Sequence, residues 1–353
     1  MDHSLLYFNA IELLKSLIQT PSFSRNEEST ALIIGNFLTE NNVSYQRYKN
    51  NLWATNKYFD PSKPSLLINS HHDTVRPNQA YTLNPFDAKI DSSKLYGLGS
   101  NDAGASLVSL LVAFLYFFQR SNLKYNIIFA ATAEEEISGK NGMYSLIKLL
   151  PKIDFAIVGE PTDMQMATAE KGLIVIDAYA YGIAGHVAND NTENAIYTAL
   201  NDISWIRNFN FPEVSSQLGA VKMSVSQIDA GEHHNVIPAV CHFVIDVRIN
   251  EHYSNQEVFE TIDRNTKSKL EARSFHLNSS NIEEKHPLVQ AGLKHGLSMF
   301  GSPTLSDQVF LNCPSIKMGP GKSLRSHSSD EFVLLDEIRE AIDLYIKIME
   351  EIV

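Results

Sequence analysis

Short apolar strands alternate with helical patterns through the first 160 residues and again near the C-terminus, which predicts an α/β fold: a largely parallel sheet with helices on both faces. A second observation adds a domain. Between 172 and 285 the order changes to strand, helix, strand, strand, helix, as expected of a smaller α+β insert with its own sheet. The chain then ends in the helical pattern "LLDEIREAIDLYIKIMEEIV", so the first domain is expected to be discontinuous, 1–171 with 286–353, around the insert 172–285.

Taken in order, the patterns predict helices near 4–19 and 26–41, the strand "SLLINSHHD" (65–73), a helix over 104–119 and the strand "YNIIFAATA" (125–133). A helix near 140–149 and the strand "DFAIVGE" (154–160) follow. In the insert, "GLIVIDAYAYGIAGH" opens a strand, 193–207 reads as a helix, "AVKMSVSQIDAG" and "AVCHFVIDVRI" read as strands, and 254–272 as a helix. The apolar run "ASLVSLLVAFLYFF" (105–118) is too short for a bilayer and reads as a buried helix. The N-terminus carries Asp2 and Glu12 in an amphipathic pattern, without the basic start of a signal peptide. Cys241 and Cys313 lie far apart beside apolar stretches, which does not make a disulfide framework. A cytoplasmic address is the expectation. A formal charge of −12 supplies no positive field for nucleic acid or an anionic membrane, leaving a small molecule or another protein as partner.

Four polar clusters stand at the ends of these strands. In "SHHDTV" (70–75), His71 and Asp73 lie two apart and project to one side of an extended chain. A carboxylate so placed can accept the second ring N–H of a metal-bound histidine; the pair is equally an ordinary surface hydrogen bond. In "YGLGSNDAGA" (96–105), Asp102 stands directly before the buried helix, where an N-cap is also common. "IIFAATAEEEISGKNG" (127–142) carries three adjacent glutamates, Glu134, Glu135 and Glu136, which repel one another and gain nothing from packing. "IVGEPT" (157–162) puts Glu160 between a strand and a proline turn. No one cluster is diagnostic, but strand ends of a parallel sheet share one edge, where ligands collect. Carboxylates mixed with imidazole suit zinc, manganese or cobalt, and an aspartate shared by two ions holds them roughly 3.5–4 Å apart. A second histidine, His327, is available in "GPGKSLRSHSSDE" (319–331).

The order H-x-D, G-x-x-x-D, E-E, G-E-P and a late histidine resembles the co-catalytic zinc aminoacylases and carboxypeptidases of the M20 metallopeptidase family, over nearly the whole chain. That group includes acetylornithine deacetylase, succinyl-diaminopimelate desuccinylase and glutamate carboxypeptidase. The resemblance implies one zinc held by His71, Asp102 and Glu160 and a second by Asp102, Glu136 and His327, with Asp102 bridging. Cobalt or manganese can stand in for zinc in such a site. It also implies that Asp73 orients His71, that Glu135 is the general base, and that the Asp102–Ala103 peptide is cis. Glu134 takes a place usually held by aspartate.

In the insert, His186 of "GIAGHVAND" matches the family histidine that reaches an active site, often that of the other subunit, which implies a homodimer through the insert. On the residues alone His186 is a turn histidine. Asn235 and Arg248 match positions that hold the substrate's carboxylate, and a planar guanidinium suits that task. Ser306 and Asp307 match a loop near the substrate. One departure stands out: the family's Asp-x-Lys-Gly is here Asp102-Ala103-Gly104-Ala105, although the missing lysine is not a ligand.

The implied activity is hydrolysis of the amide of an N-acyl amino acid, with Glu135 moving a proton from an activated water to the departing amine. The motif pattern favours N-acetylornithine, giving ornithine and acetate. Deacylation of N-succinyl-ornithine, N-acetylcitrulline or succinyl-diaminopimelate, and a dipeptidase or carboxypeptidase activity with the same metal centre, are the alternatives. A ligand-binding relative without catalysis would be marked by loss of a ligand or the base, and all are present.

Overall fold

The computed structural model describes residues 3–353, and Asp2 of the N-terminal pattern lies outside them. The chain divides into two compact units, residues 1–168 with 281–300 and 306–353, and residues 169–280 with 301–305.

In the first unit, strands β1 (Gln46–Tyr48), β2 (Asn51–Thr55), β3 (Ser65–His71), β4 (Asn126–Thr132) and β5 (Phe155–Val158) join one sheet. The sheet runs β1–β2–β4–β3–β5 and then Ser315–Lys317, parallel at its centre: β4 and β5 flank β3 in parallel, and Ser315–Lys317 runs parallel to β5. The register sets Thr132 level with His71 and Val158 level with Asn69, so the three strands finish together at one edge. The antiparallel pair β1–β2 was not expected. Its two-residue turn, Lys49–Asn50, has Lys49 at φ 54°, the geometry of a tight hairpin built from polar residues.

Every residue of β3 and β4 is buried, as a central strand covered on both faces requires. Leu66 and Ile68 point to one face, packing with helices α1 (His3–Ile18), α2 (Glu28–Glu40), α3 (Ala105–Phe118) and the last helix, Leu335–Ile352. Leu67 points to the other, which is covered by Met143, Leu146 and Leu311. Helix therefore lies on both faces, but unequally. The pattern near 140–149 forms only Met143–Leu146, four residues, bounded by Gly142 and by the segment leading to Pro151. With the turn before it, α3 is apolar enough over 19 residues to cross a membrane, yet it is almost wholly buried between the sheet, α1 and the last helix. It is a core helix.

The second unit has a four-stranded antiparallel sheet built from β6 (Gly172–Tyr181), β7 (Lys222–Ala230), β8 (Val240–Ile249) and β9 (Lys269–Ala272), in the order β7–β8–β6–β9. Helices α4 (Ala195–Asn208) and α5 (Asn255–Asn265) cover one face, over Ile174, Ile176, Phe243, Ile245 and Val247. The helix expected over 254–272 stops at Asn265: Thr266 is extended, and Lys269–Ala272 pairs with β6 instead.

Candidate metal centre

The shared edge of β3, β4 and β5 carries the predicted residues of the first unit. His71 ends β3, Glu134–Glu136 follow β4, and Glu160 comes two residues after β5. Asp102 lies in the turn before α3 with extended dihedrals (φ −119°, ψ 98°), and its peptide bond to Ala103 is cis. His327 arrives in the loop before the last helix at φ 58°.

Asp102 faces both histidines. Its Oδ1 is 3.3 Å from His71 Nε2 and its Oδ2 is 3.6 Å from His327 Nε2. Glu160 Oε1 is 3.7 Å from His71 Nε2, while Glu136 Oε2 is 2.9 Å from His327 Nε2. Glu135 Oε2 also reaches within 3.9 Å of His71 Nε2. One ligand atom each from His71, Asp102 and Glu136, and likewise from His71, Glu135 and Glu160, lie within 4.8 Å of one another.

The tautomer of His71 is fixed by its neighbour. Nδ1 lies 2.9 Å from the main-chain oxygen of Asp73, which can only accept, so Nδ1 carries a proton and Nε2, facing the carboxylates, is the nitrogen left for a second proton or a cation. The Asp73 carboxylate, expected to orient His71, also lies beside Nδ1, at 3.5 Å. It accepts in addition from the amides of Glu135 and Glu136, at 3.0 and 3.2 Å, and from the Ser24 hydroxyl at 2.7 Å. It thereby caps the turn that carries the expected base, Glu135, and an expected ligand, Glu136. Glu134 closes the glycine loop behind them, accepting from Asn141 Nδ2 at 2.7 Å and from its amide at 3.2 Å.

Four carboxylates against two imidazoles leave an excess of negative charge in a largely buried place. Burial, then the charge of Glu160, holds the Glu135 carboxyl well above the usual range; burial and the charge of Asp102 do the same to Glu160. His327 is pushed up to about 9, first by its hydrogen bond to Glu136. Burial alone would lower His71, but Glu160, Asp102 and Asp73 raise it well above the ordinary histidine value. Such a ring holds protons where it lacks cations, and its mixture of carboxylate oxygen and imidazole nitrogen fits divalent ions of the zinc type.

Two further carboxylates stand around the ring: Glu331, to which the motifs assigned no role, and Asp307, already matched to a loop near the substrate. Glu331, buried, accepts from the amides of Asn101 and Asp102 at 2.8 and 2.9 Å. In the sequence it closes the stretch "GPGKSLRSHSSDE", four residues after His327 and directly before an apolar strand. Asp307 accepts from Thr132 Oγ1 at 2.6 Å and Asn69 Nδ2 at 2.9 Å, and burial raises its carboxyl to about 6. It sits beneath the strand ends.

His186, Asn235 and Arg248 lie in the second unit. The first two share a small ribbon, Gly185–His186 paired with Val236–Ile237, and the amide of Val187 donates to the Asn235 carbonyl at 3.2 Å. Arg248 is not free: its Nε and Nη2 donate to the two oxygens of Asp246 at 2.8 and 3.1 Å.

Residues 67–351 match a profile of peptidase family M20/M25/M40. Acetylornithine deacetylase of Proteus mirabilis is 26% identical over 377 residues, covering 96% of each chain. Succinyl-diaminopimelate desuccinylase 2 of Ruegeria sp. is 22% identical over 380 residues, covering 97% of this chain and 94% of its own. Succinyl-diaminopimelate desuccinylase of Blochmanniella pennsylvanica is 31% identical over 271 residues, 69% of each. Among solved structures, aminopeptidase PepT of Bacillus cereus superposes with a TM-score of 0.76 at 16% identity over 98% of each chain. The Bacillus subtilis YXEP protein, a dinuclear metal binding peptidase from the M20 family, gives 0.74 at 18% identity over 98% of each. These two share the fold. The profile spans most of the chain, and the chain belongs to peptidase family M20/M25/M40.

Proposed function

We propose that the protein is a di-zinc amidohydrolase that releases a free amino acid from its N-acyl derivative. The observation that carries this reading is the two-sided placement of Asp102, with one oxygen toward His71 and the other toward His327. His71, Asp102 and Glu160 would hold one zinc ion, and Asp102, Glu136 and His327 the other. When bound, the ions would supply Lewis acidity and lower the pKa of a water.

The protein's own part is proton transfer and positioning. Glu135 receives a proton from the attacking water on its carboxylate and returns it to the amine nitrogen as the amide bond breaks. Burial suits it to hold that proton in between. His71 stays in the Nδ1–H form through the Asp73 carbonyl. His186 accepts the amide of Ala188 on Nδ1 at 3.2 Å, which leaves its Nε2–H as a donor for a developing oxyanion, in its own site or, in a homodimer, that of a second copy. Arg248 would take a substrate carboxylate by exchanging it for Asp246, with Asn235 as a second contact.

N-acetylornithine is the substrate the motifs favour, and the similarity to the Proteus deacetylase supports it. A second reading, N-succinyl-diaminopimelate, is favoured by the relatives that bear the desuccinylase name. A panel of N-acetyl and N-succinyl ornithine, citrulline and diaminopimelate, with dipeptides alongside, decides by kcat/KM. A preference for one N-acyl amino acid supports the proposal; turnover of dipeptides alone overturns it in favour of a peptidase.

A further inference from the structure

Two of the expected ligands, Asp102 and His327, come from irregular loops rather than strand ends, and His327 holds a left-handed conformation that is uncommon for a residue with a side chain. The loops are fastened to each other at several points. Glu331 Oε1 accepts the amides of Asn101 and Asp102, and the Glu331 carbonyl accepts the amide of Gly97 at 2.9 Å. In the other direction, the buried side chain of Asn101 accepts the Lys322 amide at 3.0 Å and donates to the Lys322 carbonyl at 3.2 Å. Asn78 Nδ2 holds the carbonyl of His327 itself, at 3.1 Å.

We infer that Glu331 and Asn101 are positioning residues, forming a clamp that locks the loop of Asp102 to the loop of His327 and so sets the spacing of the two metal positions. Glu331 acts through main-chain amides, and Asn101 through the Lys322 main chain and, at 3.4 Å, the Ser326 hydroxyl. One carboxyl oxygen accepts two successive amides at once, so a single side chain ties both residues to the loop of His327. Partners of this kind affect metal affinity by about 10–100-fold when removed.

The inference rests on the metal reading of the ring, so the test has one arm that needs no metal. Hydrogen exchange of the Asn101 and Asp102 amides is followed in the metal-free full-length protein, and zinc affinity is measured by competition with a chelator. Glu331→Ala is expected to speed exchange at both amides and weaken the more loosely held zinc by about 10–100-fold. Glu331→Gln, whose side-chain oxygen still accepts, is expected to recover most of both. Asn101→Ala gives the same two readouts should Glu331→Ala not fold. Unchanged exchange in the alanine variants, unchanged zinc affinity, or a glutamine variant no better than alanine would each overturn the clamp. A parent protein that binds no zinc yet shows the exchange effect would overturn only the metal reading.

Discussion

Glu135 and His72 show what burial does to single residues at this edge of the sheet. Glu135 has a raised carboxyl and makes a close approach to His71, but it belongs to neither expected ligand set. Glu135→Gln should therefore keep the bound zinc and lose turnover by about 10²–10⁴-fold, checked by metal analysis beside steady-state rates. His72 points away from the ring: Nδ1 meets Thr30 Oγ1 and Nε2 meets the Asn50 carbonyl, both at 2.9 Å. Burial lowers its pKa from 6.5 to about 4. A histidine depressed in the folded state contributes stability that is full above pH 6.5 and lost as pH falls through about 4, on the order of 3 kcal/mol. Denaturant midpoints of His72→Asn should fall less between those pH values than those of the parent protein. Legibility at this scale follows position along a strand. The convergence of His71, Glu135, Glu136 and Glu160 was readable because each follows an apolar run, whereas Glu331 bonds main-chain amides and His71 bonds the main-chain carbonyl of Asp73, contacts that no spacing reveals.

At the scale of elements, the long buried ones were readable and the short or partner-made ones were not. The pattern of α3 is continuous apolar sequence, and the structure buries Phe114 completely against Phe118 and Phe129, with ring centroids 5.7 and 5.8 Å apart. Phe114→Ala should cost about 3–5 kcal/mol, read as a shift in the denaturant midpoint with an unchanged slope. The β1–β2 hairpin escaped because Gln46–Tyr48 is short and polar and gains its place by pairing. Lys269–Ala272 was misassigned as helix because "KLEA" carries good helix formers; its strand form comes from the exposed edge of β6, a tertiary effect that outweighs local preference.

For the molecule as a whole, the parallel order β4–β3–β5 brings the expected ligands from three separate strands to one edge, and two loops complete the ring. The accumulated charge has a consequence for pH. His327, raised to about 9, adds stability to the metal-free protein that is complete below pH 6.5 and lost as pH rises through about 9. Zinc needs that imidazole deprotonated, so zinc uptake should release protons and strengthen as pH rises, which calorimetry in buffers of different ionisation enthalpy detects. The central claim is that two zinc ions in this ring make the protein an amidohydrolase. Chelator-treated protein titrated with zinc, with metal content and hydrolysis of N-acyl amino acids followed together, tests it most directly. The account predicts inactive metal-free protein and activity that returns as two zinc ions bind per chain; full hydrolysis without metal, or a protein that takes up no zinc, would contradict it.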